Sequence, residues 1–108
     1  MTAKVVIPRA VARRDVEKAI RYYAREAGMH VALGFIDDLE KAYRLIADYP
    51  SSGSLRYAYE LRLPNLRCRQ LKQYPYLIVY IVRAEYVDVW RVLHGKRDIP
   101  AWLQDPAE

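Results

Sequence analysis

The sequence predicts an α+β fold with the element order β-α-α-β-β-β, in which an antiparallel sheet packs on a two-helix hairpin. Two observations carry this prediction. Apolar residues recur every three to four positions in two successive stretches separated by Gly28, and they alternate in steps of two through the second half of the chain. A chain of 108 residues is long enough for one hydrophobic core, so residues 1–108 are predicted to form a single domain.

The first half of the chain is predicted to form one strand and the helix hairpin. Residues 4–7 are a short β-branched run that a proline ends, which is typical of an edge strand. Helical periodicity then predicts helices over residues 10–27 and 31–48, with Gly28 as the stop between them and Pro50 after the second. Packed against a sheet, the two helices supply most of the core.

The first predicted helix carries a basic row opposite its apolar face. The row and the apolar residues are two positions out of phase, which is about 200° on a helix. The members of the row are Arg14, Lys18, Arg21 and Arg25. Two interpretations stay open: a solvated outer face, or a surface that contacts phosphate or an acidic partner.

The second half of the chain is predicted to form a three-stranded meander. Alternation places its strands at three ranges, residues 67–73, 76–83 and 87–94. Residues 55–66 also alternate but contain Pro64, and they fit a loop, a short strand or a short helical turn. A short C-terminal segment, residues 100–108, follows as a helical turn or an apolar clip.

The middle strand of the meander is apolar on both faces, although two helices can cover only one face of a small sheet. An uncovered apolar face is expected as a result, and such patches mark interaction sites. The side chains assigned to this face are Tyr76, Ile78, Tyr80, Val82, Trp90 and Val92. The alternative is that the assignment of faces is wrong and that these side chains are internal.

Composition and motifs exclude several classes of function. Cys68 is the only cysteine and the two histidines are far apart, so neither a disulfide nor a metal site is expected. The four glycines are isolated, so no phosphate-binding loop and no cofactor is expected. No apolar run approaches the length of a membrane span or a secretory signal, which predicts a cytoplasmic protein without membrane contact. The net charge of +5 favours acidic partners, although it also serves solubility alone.

The end of the last predicted strand concentrates the polar chemistry of the chain. A metal-free ribonuclease needs a general base, a general acid and cations for the charge that develops on phosphorus. The residues that would supply these are His94, Lys96, Arg97 and Arg91. Only Asp98 follows as a second acid–base group, and a plain turn at Gly95 explains the same residues. No catalytic residue is therefore assigned, and a binding surface is the preferred interpretation.

Five stretches of the chain match, in order, a known pattern: residues 12–23, 35–39, 49–53, 76–80 and 87–100. The most specific part is Val92-Leu93-His94-Gly95-Lys96-Arg97-Asp98-Ile99. The stretches resemble toxins of the ParE/RelE superfamily from bacterial type II toxin–antitoxin modules, and the last two resemble the ParE branch. The resemblance covers nearly the whole chain and implies the compact RelE/ParE-like fold.

The resemblance also implies a partner and a target. A cognate ParD-like antitoxin, with a ribbon-helix-helix part that binds DNA and a tail of acidic and apolar residues, would cover the toxin in a hetero-oligomer. ParE-like toxins inhibit DNA gyrase by stabilising its cleaved DNA complex, and DNA contact is expected only through the antitoxin or gyrase. The alternative is a RelE-like endonuclease that cuts mRNA on the ribosome. Residues 98–108 lack the tyrosine or further base usual near the end of RelE-like chains, which favours gyrase.

The residues expected to contact the antitoxin or the target combine positive charge with exposed aromatic rings. They are Arg14, Lys18, Arg21, Arg25, Tyr76, Tyr80, Trp90, Arg91, Arg97 and Trp102. This choice rests on charge and on the expected faces of helix and sheet, and the resemblance adds no match for individual gyrase contacts.

Overall fold

The computed structural model of the protein describes residues 3–96 and residue 99. The strands are β1 (Val5–Pro8), β2 (Leu66–Gln70), β3 (Tyr76–Val82) and β4 (Tyr86–His94). The helices are α1 (Ala10–Glu26), α2 (Met29–Asp48) and the single turn α3 (Ala58–Leu61), with a 3-10 turn at Pro50–Ser52. The α+β class and the order of strands and long helices predicted from the sequence are confirmed. No helix among the described residues is long and apolar enough to span a membrane.

The hairpin of α1 and α2 packs on one face of the sheet. Gly28 joins the helices with φ at +98°, a backbone conformation that favours glycine because it has no Cβ. Small side chains, among them Ala12 and Ala19 of α1, are buried at the helix contacts and allow a close approach. Phe35 and Ile46 of α2 are fully buried in the same core and supply its larger apolar volume.

The sheet is mixed, with the strand order β1-β4-β3-β2. The pairs β4/β3 and β3/β2 are antiparallel as predicted, but β1 pairs in parallel with β4. The predicted antiparallel sheet is therefore confirmed for the three strands of the meander, and β1, whose partner the sequence did not predict, joins its edge in parallel. Parallel neighbours need a long crossover connection, and most of the chain lies between β1 and β4. Because β1 pairs only with residues 86–89, it leaves the rest of β4 uncovered on that side.

Both faces of the central strands are covered. The helices cover the face that carries Ile78 and Tyr80 of β3, together with Val92 of β4. The opposite face, which carries Leu77 and Val79, is covered by residues 57–63 and by Ile99. The predicted uncovered apolar face is therefore wrong. Alternation identifies the two faces of a strand but does not show which face packs against the helices. The second face is covered by residues 57–63, which lie in the range for which the sequence allows a loop, a short strand or a helical turn.

Tyr80 lies in the core and does not form part of the surface. Its side chain is 0% exposed, its hydroxyl donates to the Pro50 carbonyl oxygen at 2.9 Å, and it accepts the Gly53 N–H at 3.0 Å. Burial raises the pKa of Tyr80, so the phenol stays protonated. A Cβ at position 53 would collide with this hydroxyl. The prediction that Tyr80 contacts a partner is wrong, because the ring anchors the loop after α2 to the sheet.

We expect Tyr80→Phe to lower the free energy of unfolding by about 1–3 kcal/mol, because the change leaves the buried Gly53 N–H without an acceptor. Urea unfolding followed by circular dichroism measures this loss. The matched control is Tyr59→Phe, since the Tyr59 side chain is 93% exposed and should lose nothing measurable. Equal unfolding midpoints for the two variants would contradict the anchoring role.

Candidate functional site

A groove of about 620 Å³ lies between α1 and the end of β4. Lys18, Arg21 and Arg25 line it from α1, and His94 lines it from β4. Three tyrosine rings complete the wall, those of Tyr22, Tyr23 and Tyr76. The groove therefore combines cations with rings that carry a polar group, on a chain with a net charge of +5.

The basic row predicted from the sequence follows one exposed side of α1, while Ala12 and Ala19 of the same helix are buried. Arg25 forms an exposed ion pair with Glu26 at 2.9 Å. For Arg14, Lys18 and Arg21, no carboxylate among residues 3–96 and 99 lies at salt-bridge distance. These three charges are therefore available to an anionic partner.

Asp15 joins α1 to the uncovered part of β4. Its carboxylate accepts two bonds from the Arg91 guanidinium, from Nε at 2.8 Å and from Nη2 at 2.9 Å. It also accepts the backbone N–H of Val92 at 3.0 Å. The side chains of Arg91 and Asp15 are only 10% and 11% exposed. A paired, hydrogen-bonded arrangement is what allows a charge to be buried.

The contact with Asp15 changes the role of Arg91. The sequence indicated a cation for binding or for phosphate chemistry, but the guanidinium is buried and its charge is balanced by Asp15. The prediction of Arg91 as an exposed binding residue is therefore wrong. Sequence reasoning missed Asp15, because an aspartate on a helix surface is ordinarily solvated and its partner lies 76 positions away.

His94 lies at the end of the groove beside Tyr76. The two rings meet edge to face with centroids 5.2 Å apart, and Tyr76 is half-buried. The backbone N–H of Lys96 donates to His94 Nδ1 at 3.1 Å. Nδ1 of His94 is therefore a hydrogen-bond acceptor in this arrangement. Arg97 and Trp102 lie outside the described residues.

Two tyrosines have raised pKa values, Tyr23 in the wall of the groove and Tyr43 on α2. Burial, followed by the neighbouring Tyr76, Tyr74 and Tyr22, raises the pKa of Tyr23 above its ordinary value. Burial and the charge of Asp15 raise the pKa of Tyr43, on α2, to about 12. Both phenols stay protonated near neutral pH, so neither is suited to act as a base.

Trp90 lies on the opposite face of the sheet from the groove. The register of β3 and β4 shifts between Val79 and Tyr80, which pair with Arg91 and Val89. Trp90 therefore lies at a β-bulge in β4. The Arg9 guanidinium lies 4.6 Å from the centre of the half-buried ring. The predicted partner-binding residues are thus divided between two faces. Of those that the structure describes, Lys18, Arg21, Arg25 and Tyr76 line the groove, and Arg14 continues the basic row beyond it.

Asp88 is a second buried carboxylate that sequence reasoning missed. It accepts hydrogen bonds from Arg9, Arg83 and the Trp90 indole N–H. Burial alone would raise its pKa, but the bonds from Arg9 and Arg83 outweigh burial and hold the pKa of Asp88 below its ordinary value. This cluster fixes the junction of β1 and α1. No group of three or more His, Cys, Asp or Glu within the described part of the chain is arranged to hold a metal ion.

Comparisons with known proteins place these features in context. A family model described as "ParE toxin of type II toxin-antitoxin system, parDE" matches residues 6–99. The solved structure titled "Chromosomal ParDE TA system from P. aeruginosa" is similar with a TM-score of 0.73 and 16% identity, over 87% of this chain and 98% of that chain. At that identity the likeness shows a shared fold. Comparison with curated protein sequences gives no match.

We expect Asp15→Ala to lower the free energy of unfolding by about 3–5 kcal/mol, because it removes the carboxylate that pairs with the buried Arg91 guanidinium and accepts the Val92 N–H. Thermal and urea unfolding measure the loss. The matched control is Asp37→Ala, which removes an exposed i,i+4 pair with Lys41 and should cost less than about 0.5 kcal/mol. Equal losses in the two variants would show that Asp15 does not fasten α1 to β4.

Proposed function

The chain belongs to the ParE toxin family of type II toxin–antitoxin systems, and we propose that it inhibits DNA gyrase and is neutralised by a ParD-like antitoxin. In this proposal the toxin stabilises the cleaved DNA complex of gyrase. The activity then depends on a binding surface that recognises an enzyme–DNA complex. The single observation that carries the proposal beyond the family is the cationic groove between α1 and β4.

The basic row supports binding to an acidic partner. Arg14, Lys18 and Arg21 stand in a row without carboxylates at salt-bridge distance among the described residues. Opposite charges across an interface accelerate the encounter and set the orientation of the partners. An acidic segment of the antitoxin would therefore dock on α1 and withhold this surface from the target.

Exposed apolar side chains near the turn of the hairpin support the same partner. Tyr22, Met29 and Leu33 are 50%, 61% and 57% exposed. A tail with both acidic and apolar residues could pair with the basic row and cover these side chains together. The toxin and antitoxin would then form a hetero-oligomer, with promoter DNA bound by the ribbon-helix-helix part of the antitoxin.

A ribosome-dependent mRNA endonuclease is the second candidate. The observation that favours it is the position of His94, which shares the groove with Lys18 and Arg21 and contacts Tyr76. A histidine can act as a general acid or base in phosphodiester cleavage, and neighbouring cations can stabilise the charge that develops on phosphorus. One observation weighs against it, since the ion pair with Asp15 already balances the charge of the Arg91 side chain.

We expect the purified toxin to make gyrase accumulate cleaved plasmid DNA, and an equimolar amount of antitoxin to abolish the effect. The readout is the linear DNA released by protease and detergent, with topoisomerase-free plasmid as the control. Ribosome-bound mRNA should stay intact in a parallel translation reaction. Cleaved mRNA with unaffected gyrase, together with loss of that cleavage in His94→Ala, would establish the endonuclease instead.

A further inference from the structure

We propose that α1 contacts the phosphodiester backbone of duplex DNA directly, through Arg14, Lys18 and Arg21. The inference rests on the proposed function and deepens it, because gyrase presents a DNA duplex together with its protein surface. The sequence predicts that this chain contacts DNA only indirectly, through gyrase or the antitoxin. The proposal differs because it places the toxin in direct contact with DNA. Toxin and DNA would then share an interface within the enzyme complex.

The spacing of the three cations suits a backbone of regularly repeated charge. They are separated by four and three residues on one helix, so the row extends about 10 Å at a rise of about 1.5 Å per residue. Phosphates of one DNA strand recur about every 3.4 Å along the duplex axis and also turn around it. Because arginine and lysine side chains are long and flexible, the three cations can each reach a different phosphate.

The remaining charges of the groove do not oppose a phosphate. Asp15 is the carboxylate that lines the groove, and its charge is balanced by Arg91. Lys96 adds an exposed cation just beyond the end of β4. Exposed Glu17 is the acidic neighbour of the row on α1, and it forms no ion pair with Arg14, Lys18 or Arg21 among the described residues. The three cations outnumber it, so the net charge along this side of α1 is positive.

The wall of the groove favours DNA over an amphipathic peptide as the ligand of the groove itself. Its aliphatic side chains, Val92 and Leu93, are only 1% and 4% exposed. An aliphatic side chain of a peptide gains little from these two residues, whereas a polyanion gains from each cation, and the Tyr22, Tyr23 and Tyr76 rings that also line the wall carry hydroxyls. Acidic residues of the antitoxin would compete with DNA for the row, while its apolar residues would bind elsewhere, near Met29 and Leu33.

The test measures binding of the full chain to a 20-base-pair DNA duplex of arbitrary sequence by fluorescence anisotropy, at several salt concentrations. Three phosphate contacts predict that the logarithm of the association constant falls with the logarithm of salt with a slope of about −2.7. Lys18→Gln/Arg21→Gln should reduce the size of this slope by about 1.8. Lys18→Arg/Arg21→Lys, which keeps both charges, should bind like the wild type.

The matched control is Arg44→Gln/Lys72→Gln, which removes two exposed cations from a different groove. It should keep the wild-type slope. If Lys18→Gln/Arg21→Gln and Arg44→Gln/Lys72→Gln reduced the salt slope of duplex binding equally, only the net charge of the protein would matter. That result would overturn the proposal. The proposal would also be overturned if the duplex did not bind. If a poly-glutamate peptide bound through Lys18 and Arg21 and the duplex did not, the row would be a site for an acidic peptide instead.

The two proposals fail in distinguishable ways. A toxin that makes gyrase accumulate cleaved DNA but does not bind the duplex would refute the DNA contact alone. A toxin that binds the duplex through Lys18 and Arg21 but leaves gyrase unaffected would refute gyrase as the target. Melting temperatures of all variants should equal that of the wild type, since the substituted side chains are exposed.

Discussion

The carboxylate of Asp15 fastens the helix hairpin to the edge of the last strand. Strand β1 pairs only with the first part of β4, so the second part needs another partner for its outward backbone groups. Asp15 supplies that partner at Val92 and also balances the buried charge of Arg91. With α1 held there, its basic side borders the groove. The same contact therefore stabilises the fold and sets the position of the surface that we assign to function.

Burial of β3 on both faces provides the rigid support for this arrangement. The hairpin covers one face, and residues 57–63 with Ile99 cover the other. Tyr80 then ties the loop after α2 to the sheet through Pro50 and Gly53. Because these contacts hold the central strands from both sides, the end of β4 is fixed relative to α1, and the cations are presented on a rigid scaffold.

Local periodicity was sufficient to predict much of the fold, and contacts between distant residues account for what it missed. Both long helices and the meander follow from apolar spacing, and the basic row lies on the exposed side of α1 as the spacing predicts. The parallel pairing of β1, the cover over Leu77 and Val79, and the burial of Tyr80 depend on long-range packing. Asp15 could not be recognised, since nothing near it in sequence shows that its partner is Arg91.

We propose that an antitoxin neutralises the toxin by covering the basic side of α1. Hydrogen–deuterium exchange of the toxin, alone and bound to the proposed ParD-like antitoxin, tests this most directly. We expect slower exchange in the complex for residues 14–25 and 92–96, because the bound segment shields α1 and the end of β4. Slower exchange confined to residues 55–63, on the opposite face of the sheet, would contradict the claim.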